Sequence, residues 1–406
     1  MTRSIFFSVG EPSGDQHAAR LIQELQAQDP SIHFRGFGGP AMQHAGCDID
    51  LNLTEHAVVG LLEVLPKLRQ FFGFVDDAEA IFQTNRPDAV LLVDFPGFNW
   101  HIAKRAKRYG IPVYYYCPPQ LWAWGAWRLK KMRASVDHVL AVLPIEADYF
   151  AAKGISTTFV GHPFFDAVEH APLDEHVVSS LKRRGRPVAV LPGSRTHEVH
   201  RNWPLMLAAI RALSRRHPDV HFSVAAYRDK HADHCRAEMK AEDQSLPIDF
   251  HVGATSEIIE AADCAMMVSG SVSLELMARD TPAAVIYRVG RLFHAFARRV
   301  MTINSITLPN LMHDRLVAES DPTPGSSERP FPEFVSVGMP QRGIDFLVDS
   351  VDRMLSDSRQ LADQRRTLAR LRQSYARPGA ARNAAKRILA LLSESAAPTP
   401  CHSKAA

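Results

Sequence analysis

Short apolar runs alternate with helical patterns along almost the whole chain, and this alternation limits the fold more than any other feature of the sequence. Six strands are predicted in the first half, at residues 5–9, 33–36, 89–93, 113–116, 138–142 and 158–160. The second half repeats the scheme with predicted strands at residues 188–191, 221–225, 265–268 and 283–287. Such alternation indicates parallel sheets covered by helices on both faces, formed twice along the chain.

The length of the chain and its prolines predict more than one domain. A chain of 406 residues is long for a single hydrophobic core, and Pro163 and Pro172 interrupt the pattern where the two halves meet. The boundary is therefore expected between residues 165 and 185. We predict two Rossmann-like domains, then C-terminal helices, then a disordered tail, at residues 1–170, 171–345, 346–394 and 395–406.

Composition excludes several classes of protein. The net charge of +3 is too small to indicate nucleic-acid binding, and the apolar fraction of 46% is that of a soluble globular protein. The five cysteines are scattered without CxxC spacing, which is typical of reduced thiols in the cytoplasm. The apolar run in the opening stretch MTRSIFFSVGEP is too short for a secretory signal, and no later apolar run is long enough to span a bilayer. The sequence therefore predicts a cytoplasmic protein.

Two polar clusters follow predicted strands of the first half, where parallel sheets bind their ligands. In GEPSGD the candidate site residues are Gly10, Glu11, Ser13, Gly14 and Asp15. In VDFPGFN the candidate is Asp94, since a carboxylate at a buried strand end needs a partner or a chemical use. The alternatives are an ordinary helix cap for the first cluster and a satisfied structural aspartate for the second.

Two further clusters follow strands of the second half. LPGSRTHEV supplies Gly193, Ser194 and the permanently charged fork of Arg195, a combination suited to phosphate. SGSVSLE supplies a turn of small residues, Gly270, Ser271 and Ser273, and places Glu275 in the first helical turn, where it suits a sugar diol. A solvated turn and a capped helix are the competing interpretations.

Three segments interleave apolar and basic residues, at 58–74, 118–133 and 287–301. Each suits the surface of a lipid bilayer, and each also suits the core-facing side of a soluble helix. Together they favour peripheral membrane contact.

Metal and dinucleotide sites have little support. KHADHC at 230–235 contains ligand residue types, but it has no matching cluster elsewhere, and neither a DxD pair after a strand nor GxGxxG occurs. We therefore predict no bound metal and no cofactor.

Seven motifs occur in the order found in the lipid-A-disaccharide synthase family, which the chain resembles from about residue 4 to residue 390. They are GEPSGD, VDFPGFN, PPQLWAWGAWRLKKMR, VGHPFFD, LPGSRTHEV, SGSVSLE and ITLPNLM. The resemblance implies a GT-B glycosyltransferase with two doubly wound domains facing across a cleft. It implies a first domain that holds the acceptor, 2,3-diacylglucosamine 1-phosphate (lipid X), and a second that holds UDP-2,3-diacylglucosamine. The implied products are the β-1,6-linked lipid A disaccharide 1-phosphate and UDP.

The resemblance also implies roles for single residues. Asp94 corresponds to the candidate base, with Glu11 and Asp15 as alternatives, while Glu275 matches a ribose-binding glutamate and Asn310 a residue of the donor pocket. Arg195, the amides of Gly193 and Ser194, and the helix start at 270–273 suit the departing diphosphate. Acylated substrates imply peripheral association with the cytoplasmic surface of the inner membrane, and a homodimer is a compatible assembly.

The sequence departs from the family pattern at several positions. Gly97 stands where the family commonly has Asp, and Ser271 and Ser273 stand where it has Thr. The loop AESDPTPGSSERP follows LPNLM, and Glu333 lacks the glutamine often found three residues later. The competing functions are a UDP-N-acetylglucosamine 2-epimerase-like isomerase and an inactive nucleotide-sugar-binding module.

Overall fold

A computed structural model describes residues 3–56, 68–170, 172–301, 303–320, 329–376 and 378–396. The chain divides into two compact units. Unit 1 contains residues 1–166 together with 378–406, and unit 2 contains residues 167–377. The chain passes from unit 1 into unit 2 near the middle of one helix, Pro163–His170.

Unit 1 is built on a parallel sheet of seven strands in the order β3-β2-β1-β4-β5-β6-β7. The strands are β1 Ser4–Val9, β2 His33–Gly38, β3 Asp48–Asn52, β4 Ala89–Val93, β5 Val113–Tyr116, β6 His138–Ala141 and β7 Thr157–Phe159. The central strands read as continuous apolar runs because helices cover both faces of the sheet.

Helices join the strands of unit 1. They are α1 Pro12–Gln28, α2 Pro40–His44, α3 Leu68–Thr84, α4 Pro96–Arg108, α5 Leu129–Ser135, α6 Pro144–Ala152 and α7 Pro163–His170, with 3₁₀ turns at Leu53–Glu55 and Ala126–Arg128. Phe6, Phe37 and Phe82 meet edge to face in the core beneath this layer, with ring centroids 5.1 to 5.3 Å apart.

Unit 2 repeats the architecture with a parallel sheet of six strands in the order β10-β9-β8-β11-β12-β13. The strands are β8 Arg186–Leu191, β9 Val220–Ala226, β10 Ile248–Val252, β11 Cys264–Val268, β12 Ala283–Val289 and β13 Glu333–Val337. Trp203 is fully buried beside this sheet, and its indole nitrogen donates to the Cys235 carbonyl at 3.0 Å. The prediction of two parallel α/β sheets is confirmed.

The helices of unit 2 cover both faces of its sheet. They are α8 Glu175–Lys182, α9 Thr196–Arg216, α10 Asp229–Ala237, α11 Thr255–Ala261, α12 Val272–Ala278, α13 Arg291–Val300, α14 Leu308–Ser320, α15 Pro340–Ser356 and α16 Ser358–Tyr375, with a 3₁₀ turn at Ala241–Ser245.

The last helix, α17 Ala380–Ala396, belongs to unit 1 rather than to a separate C-terminal group. Asp166 caps its start, since its carboxylate accepts from the amides of Gly379 at 2.6 Å, Ala380 at 3.1 Å and Ala381 at 2.9 Å. Residues 346–376, by contrast, remain in unit 2. The predicted disordered tail falls largely on residues 397–406, outside the described residues.

Each sheet has one position where the strand order reverses direction. In unit 1 it lies between β1 and β4, where Val9 is paired with Val93. In unit 2 it lies between β8 and β11, where Leu191 is paired with Met267. Doubly wound sheets bind their ligands just beyond the carboxyl ends of these strands. All four polar clusters follow these four strands.

Candidate active site

The two loops of unit 1 that follow β1 and β4 touch one another at Gly10. A Cβ atom at this position would lie only 2.2 Å from the Phe95 ring, far inside van der Waals contact. Gly10 therefore permits the close approach of the two loops. Glycine is the residue that allows such an approach without moving a neighbour.

Asp94 is held in an unusual backbone conformation. Asp94 and Phe95 both have φ of 46°, in the left-handed region that residues with a Cβ seldom adopt. Two donors fix the Asp94 carbonyl: the Tyr115 hydroxyl at 2.8 Å and the Asn99 side-chain amide at 2.7 Å. Non-glycine residues held this way cluster at functional sites, where the surrounding structure maintains the strain.

Asn99 is a positioning residue that the sequence did not single out as part of the site. It is fully buried, and its amide group also donates to the carbonyls of Ser8 and Val93, at 3.2 and 3.3 Å. Its side-chain oxygen accepts from the Ser8 hydroxyl at 2.7 Å. Asn99 thereby ties β1 to β4 directly beneath Asp94.

The surroundings of Asp94 disfavour its charged form. Burial, followed by repulsion from Glu11, raises the pKa of the Asp94 carboxyl to about 6, against a smaller opposing effect of a backbone hydrogen bond from Phe95. Among the ion pairs of the residues described, none involves Asp94. A carboxylate that titrates near neutrality and is not neutralised by a cation is suited to accept a proton.

Asp15 has a different environment, although it lies only a few residues from Gly10. Its carboxylate is buried and accepts from three backbone amides at the start of α2, those of Gly39 and Ala41 at 2.9 Å and that of Met42 at 3.2 Å. These contacts cap a helix and occupy both carboxylate oxygens. The Asp15 carboxylate is thus committed to a helix cap, which distinguishes it from the carboxylates of Glu11 and Asp94.

The start of α1 leaves backbone amides free toward the same loops. Glu11 is the N-cap residue, but no side chain makes a capping hydrogen bond there, and Pro12 opens the helix. Ser13 is exposed, while Gly14 is buried and its Cβ position would lie 3.1 Å from Val9. An anion beside Ser13 and Gly14 is favoured by this helix start.

In unit 2, cationic and amide donors follow β8, at the point where the strand order reverses. Gly193 follows β8 with φ of +121°, and a Cβ there would lie 2.7 Å from the Cβ of Glu198. Ser194 is exposed, and the Arg195 side chain is 55% exposed. A forked donor at the start of a long helix suits a phosphate group.

Glu198 organises this loop and was not among the predicted site residues. Its buried carboxylate accepts from the Arg195 amide at 3.2 Å and from the Arg195 guanidinium at 3.0 Å. The signal in the sequence is its place three residues after the N-cap, where a glutamate commonly reaches back to cap a helix. Glu198 thus holds the Arg195 backbone and one guanidinium nitrogen in place, while much of the Arg195 side chain stays in solvent.

The loop after β11 is adjacent, because β8 and β11 are paired. Gly270 and Ser271 are exposed, and Ser271 is the N-cap of α12 without making a side-chain cap. The hydroxyl of Ser273 instead turns back, is buried, and donates to the Gly270 carbonyl at 2.8 Å. Ser271 is therefore the hydroxyl available to a ligand, while Ser273 shapes the turn.

Glu275 lies behind this turn in a polar network. It is 7% exposed and accepts from the Ser256 hydroxyl at 2.5 Å and from Arg279 at 3.3 Å, while Arg279 also pairs with Glu260 at 3.0 Å. These partners converge on Oε1, which is one of the two carboxylate oxygens.

Asn310 and Glu333 hold the segments on either side of the divergent loop. The Asn310 amide donates to the Phe331 carbonyl at 2.7 Å and accepts from the Phe331 amide at 3.1 Å. Glu333 accepts from the amides of Ile306 and Thr307, both at 2.9 Å, and from the Thr307 hydroxyl. Both side chains therefore join separate backbone segments through hydrogen bonds. Residues 321–328 of the loop lie outside the described residues.

The histidines of KHADHC pack against α9. His231 bonds the Thr196 hydroxyl at 3.2 Å, and the rings of His234 and His200 stack with centroids 3.8 Å apart. No group of His, Cys, Asp and Glu able to hold a metal ion occurs among the described residues.

The three apolar and basic segments have different surroundings. In 118–133, Trp122 is buried and donates to Glu146 at 3.3 Å, whereas Trp124 and Trp127 are exposed. In 58–74, residues 58–67 lie outside the described residues. In 287–301, α13 is exposed along its length. None of the helices described is long and apolar enough to cross a membrane.

Known proteins resemble this chain over nearly its whole length. A family model described as lipid-A-disaccharide synthetase matches residues 5–325. A lipid-A-disaccharide synthase from Anaeromyxobacter dehalogenans is 33% identical over 396 residues, covering 97% of this chain and 98% of that relative. The chain belongs to the lipid-A-disaccharide synthase family. It is accordingly a glycosyltransferase of lipid A biosynthesis, as the sequence predicted.

Solved structures establish the fold. The UDP-GlcNAc 2-epimerase from Neisseria meningitidis bound to UDP-GlcNAc has a TM-score of 0.63 at 11% identity and covers 97% of this chain and 100% of its own. The glycosyltransferase of kitacinnamycin has a TM-score of 0.58 at 16% identity, with coverage of 95% and 98%. The predicted GT-B fold is confirmed, and at these identities the likeness concerns the fold alone.

Proposed function

We propose that this family member transfers the diacylglucosamine group of UDP-2,3-diacylglucosamine to the 6-hydroxyl of 2,3-diacylglucosamine 1-phosphate. The products are the β-1,6-linked disaccharide 1-phosphate and UDP. The observation that carries the proposal is Asp94 at the β1/β4 position, whose backbone is held at φ of 46° and whose partly buried carboxyl has a pKa raised to about 6. Family membership supplies the substrate class.

Asp94 acts as the general base in this proposal. Its ionised carboxylate takes the proton of the acceptor 6-hydroxyl as the oxygen bonds to the anomeric carbon of the donor. The bond from that carbon to the diphosphate oxygen breaks on the opposite face, so the configuration inverts and UDP leaves with the electron pair. Burial, and to a lesser extent repulsion from Glu11, keeps the pKa of Asp94 high, and the backbone amides of Ser13 and Gly14 bind the acceptor.

The loops of unit 2 hold UDP. Arg195 and the amides of Gly193 and Ser194 contact the diphosphate, with Gly270 and Ser271 on the neighbouring loop. Glu275 has one carboxylate oxygen occupied by Ser256 and Arg279, and its other oxygen accepts from the ribose hydroxyls. Asn310 and Ser273 shape the pocket through their backbone contacts instead of touching the diphosphate.

Acylated substrates place the reaction at a lipid surface. Two acyl chains on each sugar partition strongly into a bilayer, because each buried methylene contributes about 0.8 kcal/mol. We therefore place the protein at the cytoplasmic face of the inner membrane, bound peripherally.

The test is UDP release by purified protein supplied with UDP-2,3-diacylglucosamine, with and without lipid X, and with EDTA in parallel. We expect release that requires lipid X and survives EDTA, since Arg195 supplies the positive charge that faces the diphosphate. The Gly97→Ala variant is the matched control for Asp94→Asn, because a Cβ at Gly97 has no atom within 4 Å.

Two other results would contradict the proposal. Conversion of UDP-N-acetylglucosamine to its 2-epimer without an acceptor would assign the site to an isomerase. UDP binding without any lipid X-dependent release would assign it to an inactive binding module.

A further inference from the structure

The helix α13 presents three large apolar side chains to solvent. Leu292 is 90% exposed, Phe293 60% and Phe296 63%, and no residue of the helix is buried. Soluble proteins seldom leave three large apolar residues of one short helix in water, and a contiguous exposed patch usually marks an interaction surface.

The apolar and basic residues of α13 lie on opposite sides. At 100° per residue, Leu292, Phe293, Phe296 and Val300 fall on one face, and Arg291, His294 and Arg298 fall on the other. An amphipathic helix ordinarily turns its apolar face to the core, as α15 does with the buried Leu347 and Val351. In α13 the same face is exposed, and no described residue buries it.

Two further apolar residues close to α13 in the chain or in space are exposed. Met301, directly after the helix, is 41% exposed, and Met339 is 66% exposed. Met339 follows Gly338, whose Cβ position would lie 3.0 Å from the Arg291 guanidinium. The turn after β13 and the start of α13 are therefore side by side.

Charge distinguishes the possible partners of this surface. Arg291, Arg298 and Arg299 are exposed, and residues 291–300 contain no Asp or Glu. Aromatic and aliphatic residues flanked by arginines are the composition that lies in the headgroup layer of an anionic bilayer. We infer that α13 is an interfacial helix that inserts Leu292, Phe293 and Phe296 into a membrane containing anionic lipid.

The location of α13 suits the proposed donor, and this part of the inference rests on the proposed function. The helix follows β12, which is paired with β11, so it leaves the sheet at the edge that carries Ser271 and Arg195. A helix embedded there brings the UDP-binding edge of unit 2 to the surface in which the acyl chains of the donor reside.

The experiment measures co-sedimentation of the full chain with vesicles of phosphatidylethanolamine and phosphatidylglycerol, against vesicles of phosphatidylcholine alone. The parent is expected to prefer the anionic vesicles. Leu292→Ser with Phe296→Ser should lower the partition coefficient about tenfold or more, and Arg298→Gln with Arg299→Gln should lower it by a similar factor on anionic vesicles only. All four side chains are exposed, so the fold should be unaffected.

The matched control is Val252→Ser, an exposed apolar residue of unit 2 outside α13. UDP release from detergent-dispersed substrates is measured for each variant, so that loss of the proposed activity is separated from loss of vesicle binding. The inference is overturned if the parent ignores anionic vesicles, or if Val252→Ser lowers binding as much as the α13 variants. It is also overturned if those variants dissociate a dimer in sedimentation velocity while vesicle binding persists.

Discussion

The two units share one topology but place opposite chemistry at the same point of it. Where the strand order reverses, unit 1 has the carboxylates of Glu11 and Asp94, and unit 2 has Arg195 with free hydroxyl and amide groups. The fold decides where a ligand sits, and the few residues after each strand decide what it is. In the proposed function, the first arrangement accepts a proton and the second neutralises the leaving diphosphate.

The strand-end loops of the two units also differ in which residue adopts the left-handed backbone. In the loop after β8 of unit 2 the residue is Gly193, which accommodates φ of +121° without a side chain. In unit 1 it is Asp94 itself, followed by Phe95. Unit 1 therefore keeps a side chain in a backbone conformation that glycine would adopt with less strain, as the proposed role of the carboxylate requires.

The largest expected effect comes from removing the unit 1 carboxylate. Asp94→Asn keeps the shape of the side chain but cannot accept a proton, so kcat should fall about 10²- to 10⁴-fold. Affinity for UDP should not change, because its proposed site is built from unit 2. The measurements are UDP release and calorimetric titration with UDP. A parallel loss of UDP affinity would break the comparison between the units.

The same substitution should stabilise the folded protein at neutral pH. The folded-state pKa of Asp94, about 6, is raised above its ordinary value of 3.8, so the stability cost of ionising this group develops as pH rises above about 4 and is complete above about pH 6. Asp94→Asn should raise the free energy of unfolding at about pH 8 by roughly 1–3 kcal/mol, and the gain should disappear below about pH 4, where both states hold the proton. Asp15→Asn should instead destabilise, since it weakens the cap of α2. Denaturant unfolding at both pH values checks both variants.

The second effect concerns the cation of unit 2. Arg195→Gln should raise the Kd for UDP about 10- to 100-fold, because one charge-assisted contact to the diphosphate is lost. Arg366→Gln is the control, since Arg366 is an exposed arginine on α16 paired with Asp363. Equal effects of the two substitutions would mean that overall charge, and not the β8/β11 loops, attracts UDP.

A smaller effect tests the contact between the loops of unit 1. Gly10→Ala forces the Phe95 ring away and displaces Asp94, so kcat should fall about tenfold. Gly97→Ala, on the same side of the sheet, meets no atom and should leave kcat unchanged. Steady-state kinetics of the two variants compares them directly. An unaffected Gly10→Ala enzyme would show that Asp94 tolerates movement.

The smallest effect is a shift in pH dependence. The kcat/KM of the parent should fall about tenfold per unit as pH drops below 6, since Asp94 must be ionised to act. Glu11→Gln removes a like charge, so the midpoint should move down by less than about one unit. A pH profile of both proteins gives the midpoints. Loss of turnover comparable to that of Asp94→Asn would instead give Glu11 the role of base.

The interior of each sheet could be predicted from the sequence, whereas three of the four edge strands could not. The exception is the edge strand β7, which the sequence predicted at residues 158–160. Central strands such as β4 and β11 are continuous apolar runs because both faces are covered. The strands β3, β10 and β13 lie at sheet edges, are partly exposed and carry polar residues, so periodicity does not reveal them. Helix starts are hidden for a related reason: α1 begins at Pro12, within the turn-like residues GEPSGD.

The candidate site divides in the same way. The positions of Gly10, Asp94, Gly193 and Arg195 follow from the rule that ligands bind at strand ends. The hydrogen-bond partners within the site are distant in sequence. Asn99 is bonded to Ser8, 91 residues away, and Asp15 accepts from amides that are 24 to 27 residues away. Because local sequence does not encode such distances, the sequence favoured Asp94 only by its place at a strand end and could not show that Asp15 is bonded to backbone amides.

The return of α17 to unit 1 affects how the chain is made. The Asp166 carboxylate can accept from the amides of residues 379–381 only after these residues have been synthesised. The same holds for Asn383, which donates to the Val160 carbonyl at 3.1 Å. During synthesis all of unit 2 is made before these residues leave the ribosome. Unit 1 is translated first, but it lacks the covering helix α17 until residues 380–396 have been made. A nascent chain released before residue 380 would expose the surface of α1 that α17 covers, so ribosome stalling late in the message should yield a chaperone-bound or degraded product.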